Sequence, residues 1–329
     1  MDEFYKNRGV VITGGAGFIG SNLAHRLVLA GSHVTIIDAF IPGLGANSFN
    51  LEGIREKISL HESDVRDTRK MQELVKGKDF LFNLSGQVSH IDSMTDPVSD
   101  MEMNVRAQLS ILEACRHSNP DIKIVFTGTR QVYGKPSYLP VDEDHPLRPP
   151  DINGINKLAG EQYHLLYNNV FGVRACSLRL TNTYGPRQLI RHARQGFIGW
   201  FIRQIVHGDE ITIFGDGSQQ RDFNYVADVV NALMLAAKED RANGEVFNLG
   251  GEKSISLKDL VELMIRIHGM GSYRCIPFPD DKKKIDIGDY SGNYSKIDKM
   301  LGWNPQVKLV DGLEKTIDFY RKNFSSYVT

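Results

Sequence analysis

From the N-terminus to about Leu180, short runs of branched apolar residues alternate with longer stretches in which apolar residues recur every three or four positions. The short runs at residues 9–13, 33–37, 58–60, 80–84, 122–126 and 173–180 predict strands. The stretches between them predict helices near residues 18–30, 68–76, 99–117 and 152–169. Ile19, Leu23 and Leu27, with Ala24 and Val28, set the first helix, and Gly31 ends it. Such alternation implies parallel βαβ units in a doubly wound α/β sheet. Ligands of such a sheet lie beyond the carboxyl ends of its strands, here Asp38, Asp64, Ser85, Thr127 to Thr129 and the residues after Leu180.

Beyond Leu180 the rhythm loosens. Tyr184-Gly185-Pro186-Arg187 leads into a basic stretch ending at Arg194, then a helix near 197–207, the strand-like Ile211-Thr212-Ile213-Phe214 and a Gly215-Asp216-Gly217 turn. Residues 225–238 read as helix and 245–249 as one more strand, with helices near 256–268 and 311–322. The expected organisation is a nucleotide-binding domain over 1–180, with return segments near 223–250, and a smaller substrate-holding domain over 181–329. There is no internal repeat and no low-complexity tract.

A net charge of −1 gives no whole-molecule field toward nucleic acid or an anionic membrane. No apolar run reaches the length of a membrane span, and residues 1–8 are too polar and short for a secretory signal, so the expected location is cytoplasmic. Cys115, Cys176 and Cys275 are odd in number and set in apolar contexts, which suits reduced core thiols and neither disulfides nor metal ligands.

Chemistry enters at Thr13-Gly14-Gly15-Ala16-Gly17-Phe18-Ile19-Gly20, placed between the first strand and the first helix. Gly14 permits the tight turn, Gly17 lets backbone approach a pyrophosphate, and Gly20 lets helix pack closely on strand. The helix N-terminus faces phosphates with unpaired N–H groups. Asp38, closing the second strand, is placed to accept from adenosine ribose hydroxyls, and no Arg or Lys lies between it and Arg55 to neutralise a 2′-phosphate. Strand, glycine loop, helix and acid together predict a Rossmann-type site for NAD rather than a glycine-rich turn without a ligand.

Further blocks follow in order. They are Asp64-Val65, Leu84-Ser85-Gly86-Gln87-Val88-Ser89-His90, Asp96-Pro97, Asn104-Val105, Thr127-Gly128-Thr129 before Val132-Tyr133-Gly134, Lys157, Asn182 with Tyr184 to Arg187, Arg221-Asp222-Phe223, and Leu301-Gly302-Trp303-Asn304-Pro305. With these the chain resembles, nearly end to end, the extended short-chain dehydrogenase/reductases, especially nucleotide-sugar epimerases and dehydratases of the UDP-glucose 4-epimerase type.

The resemblance implies cofactor contacts from Gly14, Gly17, Phe18, Ile19, Leu84, Ser85, Gly86 and Thr127. It implies Asp38 on the adenosine ribose, Asp64 and Val65 beside adenine, and Lys157 on the nicotinamide ribose. Thr129 would bond the reacting hydroxyl, and Asn182 and Arg221 would hold the diphosphate, as amide donors and a guanidinium fork can. Phe214 would lie against the nucleobase or in the core. Gln87, Ser89, Arg130, Arg187 and Lys284 are further candidates for substrate contact. A homodimer is implied through the helices near 99–117 and 152–169, with Leu109, Leu112 and Leu165 serving either the seam or the core.

One position departs from the family. The reaction uses a tyrosine four residues before the lysine, on the same helix face. In Pro150-Asp151-Ile152-Asn153-Gly154-Ile155-Asn156-Lys157 that position is Asn153, and an amide neither accepts nor releases a proton usefully. Three readings stand: a natural subfamily with altered chemistry, a silent binder of NAD and nucleotide sugar, and an engineered inactivation. An active enzyme would draw on Lys157, directly or through a water, with Thr129 completing the relay; Tyr133 and Tyr184 are the nearest phenols by family geometry.

Arg130-Gln131 follows Thr129 where family dehydratases carry Asp-Glu and decarboxylases a glutamate, so neither chemistry is supported. Arg130 offers a cation for a carboxylate or phosphate, or else a surface salt bridge. Arg187, Arg191, His192 and Arg194 read as a polyanion-holding loop or a solvated helix start, and Lys284 supplies charge where the family often has an arginine. His25, His61, His117 and His268 suit helix surfaces and turns, and no partner identifies His90 as a base. The expectation is an NAD-dependent nucleotide-sugar epimerase acting by transient oxidation, with Thr129, Asn153 and Lys157 at its centre; the alternatives are the silent binder and a dehydrogenase or lyase on the same scaffold.

Overall fold

The computed structural model describes residues 1–328. Seven parallel strands form the main sheet in the order β10-β6-β5-β4-β1-β2-β3, from β1 (Gly9–Thr13), β2 (His33–Asp38), β3 (Ile58–Glu62), β4 (Phe80–Asn83), β5 (Lys123–Thr129), β6 (Ala175–Leu180) and β10 (Val246–Leu249). β1, β4 and β5 are almost continuously buried because helices cover both sheet faces. The helices Phe18–Leu29 and Val226–Lys238 bury Leu23, Leu27, Val229 and Leu233 on one face. The helices Thr68–Val75 and Ala107–Ser118 bury Met71, Ile111 and Leu112 on the other.

Chain order runs outward from β1 to β3 and then jumps back to β4 on the other side of β1. The reversal leaves a crevice at the carboxyl ends of β1 and β4, where no crossover helix blocks the sheet top. Over it sits the second region, built from β7 (Asn182–Tyr184), β8 (Ile211–Phe214), β9 (Gln220–Tyr225), β11 (Ser254–Ser256) and β12 (Tyr273–Ile276), in sheets β11-β9-β7 and β12-β8. The helices Phe197–His207, Leu257–His268 and Leu309–Asn323 close its separate core.

The helix read over 99–117 is in fact Pro97–Met101, a π-helical turn over Glu102–Arg106, and Ala107–Ser118. Within that turn the Asn104 amide points inward, a common use of π-bulges. β7, β9, β11 and β12 were not legible, because runs as polar as Gln220–Tyr225 show neither alternation nor an apolar block. Cys115 and Cys176 are buried, but Cys275 is exposed on a two-stranded sheet. His61 lies on the edge strand β3, 2.9 Å from Ser59 Oγ, not on a helix or turn. Leu112 belongs to the core, whereas Ile155, Leu166, Val170 and Phe171 are the exposed apolar residues of the long helix Ile152–Phe171. No helix among the described residues is long and apolar enough to cross a membrane.

Candidate active site

A cavity of about 440 Å³ occupies the crevice, with walls from the ends of β1, β2, β4 and β5 and from the second region. Its floor is the glycine turn. Gly14 has φ +67°, and a Cβ there would stand 2.9 Å from the Leu84 carbonyl oxygen; a Cβ on Gly20 would overlap the Gly14 carbonyl. Both glycines are therefore dictated by backbone approach. Asp38 accepts from the N–H of Ala16 and of Phe40, each at 3.0 Å, so its carboxylate is pinned at the rim of the turn. Burial lifts its carboxyl above the usual range, against the pull of those N–H groups. Next along the wall, Asp64 is clamped by the Arg66 guanidinium at 2.6 Å, which holds it below the usual range.

At the far end the long helix supplies Asn153 and Lys157. Burial brings the Lys157 ammonium down to about 8, a drop that the charge of Asp100 only partly offsets. It stands where the wall is backbone: a Cβ on Gly86 would lie 2.8 Å from Lys157 Nζ and 2.5 Å from Asn104 Oδ1. Asn153 is 2 % exposed and has both amide hydrogens engaged, on the Gln87 carbonyl at 2.9 Å and on Asp100 Oδ2 at 3.0 Å. Asn156 and Asn104 donate to Asp100 Oδ1 at 2.8 and 3.1 Å. Three amides thus satisfy a carboxylate only 1 % exposed. Asn153 keeps one free polar atom, the acceptor Oδ1, on the cavity wall.

The Thr129 hydroxyl accepts from the Gln131 N–H at 3.2 Å and fixes the turn that follows β5. Arg130 donates to Asn182 Oδ1 at 2.9 Å and lies 5.2 Å over the Tyr290 ring. Burial, with repulsion from Arg221, brings its guanidinium down to about 10. Asn182 in turn donates to the Asp222 carbonyl at 2.9 Å. No carboxylate lies within 4.0 Å of Arg130 among the described residues, so it forms no surface salt bridge. His90, also on the wall, has the partner that sequence reasoning did not find: its Nδ1 is 3.0 Å from the Asp151 carboxylate. Burial would raise Asp151, but His90, the Gly154 N–H and Gln131 outweigh it and hold the group low.

The structure brings Gly14, Gly17, Phe18, Ile19, Asp38, Asp64, Val65, Leu84, Ser85, Gly86, Thr127, Thr129, Arg130, Asn153, Lys157 and Asn182 to one cavity. Other candidates it does not bring there. Gln87 is turned back onto the N–H groups of Val88 and Ser89, and Ser89 caps the short helix His90–Thr95, so Val88 and His90 face the cavity instead. Arg187 donates to Asn22 at 3.0 Å and rests over Phe319. Arg221 is committed to Asp286 at 3.0 Å. Phe214 packs on Phe278 with the Lys282 ammonium 4.5 Å above its ring, and Lys284 is exposed. His192 and Arg194 tie their loop to Gly43 and Asp92, which makes it a strap instead of a solvated helix start. Tyr133 donates to Asn248 and accepts from Arg179, with burial pushing its phenol up to about 12, and Tyr184 donates to the Leu309 carbonyl; neither phenol is free for chemistry.

Sequence reasoning missed Asp100, Asn156 and the His90–Asp151 pair. The i,i+4 spacing of Asp100 and Asn104 and the i,i+3 spacing of Asn153 and Asn156 place each pair on one helix face, but neither spacing names the group opposite.

The family model described as NAD dependent epimerase/dehydratase family matches residues 10–250. The chain is 34% identical over 317 residues to a putative UDP-glucose 4-epimerase of Methanocaldococcus jannaschii, covering 95% of this chain and 99% of that protein. It is 31% identical to UDP-glucuronic acid decarboxylase 1 of Xenopus tropicalis, covering 95% of this chain and 72% of that protein. The crystal structure of UDP-glucuronic acid 4-epimerase from Bacillus cereus, in complex with UDP-glucuronic acid and NAD, superimposes with a TM-score of 0.85 at 29% identity, covering 95% and 99% of the two chains.

Proposed function

This chain belongs to the NAD dependent epimerase/dehydratase family, and from that premise we propose that it is a nucleotide-sugar epimerase in which Lys157, not a tyrosine, carries the proton. Its cofactor is NAD, and the residues present fit it: backbone fills the places where side chains would block the turn, and Asp38 stands fixed at the rim. Gly14, Gly17, Phe18, Ile19 and Asp38 would hold the adenosine and pyrophosphate half, and Leu84, Ser85, Gly86 and Thr127 the other half. When bound, NAD supplies a reversible hydride acceptor for a sugar carbon.

The remaining work falls to the chain's own side chains. The observation that carries the reading is a buried Lys157, brought near neutrality, on the same wall as the Thr129 hydroxyl and Asn153 Oδ1. In the oxidation step the substrate O–H gives its proton to neutral Lys157, directly or through Thr129, and the carbon becomes a ketone. In the return step Lys157 gives the proton back once the ketone has been reduced from its other face. Asn153 Oδ1 orients the sugar by accepting from a hydroxyl beside the reacting one, whose own proton is left for Lys157. The reading includes a division of labour between residues 1–180, with return segments near 223–250, and 181–329. It also includes a homodimer through the exposed apolar residues Ile155, Leu166 and Val170; sedimentation equilibrium at twice the monomer mass checks it.

A second reading, the silent binder, is favoured by the anchoring of Asn153, whose amide hydrogens are spent on Gln87 and Asp100. One experiment separates the two. Protein loaded with NAD is mixed with sugar nucleotides and followed at the NADH absorption band and by NMR of the sugar. A transient band with formation of an epimer is expected; tight binding with an unchanged spectrum and unchanged sugar establishes the binder. Asn153→Tyr is expected to lower both stability and turnover, because it removes the donor to Asp100 Oδ2, at about 1–3 kcal/mol for an unsatisfied buried acceptor, while the Gln87 carbonyl keeps the Asn104 amide. A large gain in turnover would show that the amide marks a loss of function.

A further inference from the structure

Resting on the epimerase-type reading above, we infer that Arg130 is the counter-ion for a carboxylate on the sugar, so that the substrate is a nucleotide-linked acidic sugar rather than a neutral hexose.

β5 ends at Thr129 and turns directly into Arg130, which puts a hydroxyl and a guanidinium side by side on the cavity wall. A guanidinium removed from water calls for an anion. The two buried arginines have one: Arg179 pairs with Glu161 at 2.6 Å and Arg221 with Asp286 at 3.0 Å. Arg130, half-buried where it opens onto the cavity, does not. Its contacts are the neutral Asn182 oxygen and the face of Tyr290. The carboxylate behind it, Asp222, is already spent, accepting from Thr181 on one oxygen and from the N–H groups of Gly251 and Gly292, each at 2.9 Å, on the other.

The carboxylates of the wall, Asp38 and Asp64, both stand at the glycine-turn end, where Arg66 pairs with Asp64, whereas the end that presents Arg130 and Lys157 has no carboxylate on the wall. Only one N–H group of Arg130 goes to Asn182, which leaves the planar fork free for two-point binding of a carboxylate. The substrate's own diphosphate offers related oxygen anions, and the experiment tells the two sources apart because neutral and acidic sugar nucleotides share the diphosphate and differ in the carboxylate.

Calorimetric affinities are measured on the NAD-loaded protein for matched pairs: UDP-glucose and UDP-glucuronic acid, dTDP-glucose and dTDP-glucuronic acid, GDP-mannose and GDP-mannuronic acid. The acidic member of at least one pair is expected to bind about tenfold tighter or more, the scale of a hydrogen bond to a charged group. Arg130→Gln should erase that preference while leaving the neutral partner's affinity and NAD affinity unchanged, and Arg130→Lys should retain part of it. Retained NAD binding shows that each variant is folded. Equal or tighter binding of the neutral member in every pair that binds, or an acidic preference that survives Arg130→Gln, overturns the inference and leaves the epimerase reading intact. A loss of neutral and acidic affinity together in Arg130→Gln assigns the residue to the diphosphate and likewise overturns it. NAD binding with no affinity for any member overturns both.

Discussion

Lys157→Met is expected to lower turnover by about 10²- to 10⁴-fold, the usual contribution of a positioned acid–base group, while NAD stays bound. Burial favours the neutral amine, so Lys157 gives up its proton near pH 8. The sign of the pH dependence follows. Below that value the ammonium must lose a proton before it can accept one, and turnover should rise about tenfold per pH unit. Above it the amine is already free, and the profile should level. Lys157→Arg keeps the positive charge but cannot deprotonate at these pH values, so it should be as inactive as the methionine variant and show no such rise. Turnover within about tenfold of the parent in Lys157→Met, or an unmoved pH profile, would exclude the residue as proton carrier.

Glu161→Ala is expected to destabilise the protein by about 3–5 kcal/mol, the cost of leaving one member of a buried ion pair without the other. Glu161 and Arg179 are 1 % and 4 % exposed and meet at 2.6 Å. The carboxylate also accepts from Ser177 at 2.9 Å, and the guanidinium donates on to Tyr133, whose hydroxyl donates to Asn248. This chain of bonds joins the long helix, β6, the turn after β5 and β10, so its loss should loosen the catalytic end of the sheet as a unit. Glu161 is one helical turn beyond Lys157, and turnover should fall along with stability. Denaturant midpoints at unchanged slope measure the effect. The double variant Glu161→Met with Arg179→Met should recover much of the lost stability, because no charge is then left unpaired. A single-variant loss below about 1 kcal/mol would mean that water reaches the pair.

Much of the scaffold was legible because its causes are local. Ile19, Leu23 and Leu27 recur at helical spacing, and within a single turn Gly14 is demanded by its positive φ and Gly20 by the Gly14 carbonyl. The second region was harder. Apart from β8 its strands are short and carry polar residues, and they hold together through partners such as Asp289 on the Gln220 N–H, far away in the chain. Candidate side chains divided in the same manner. Those on the strand ends and the glycine loop reached the cavity because the sheet delivers them there. Arg187, Phe214 and Lys284 did not, because Asn22, Phe278 and solvent claim them instead.

By itself the sequence determined the parallel sheet, the strand ends that meet a ligand, the glycine cradle with its acid at Asp38, and Asn153 where the resemblance implies a tyrosine. Each depends on neighbours a few residues apart and on fixed backbone stereochemistry. The tertiary structure alone decided what the Asn153 amide bonds, an Asp100 carboxylate 53 positions away. It alone decided that Asp151 stands against His90 and that Arg130 faces the cavity without an anion. The reason is electrostatic: the charge state and chemistry of a side chain are set by burial and by the nearest partner, and in a folded chain that partner comes from wherever packing brings it.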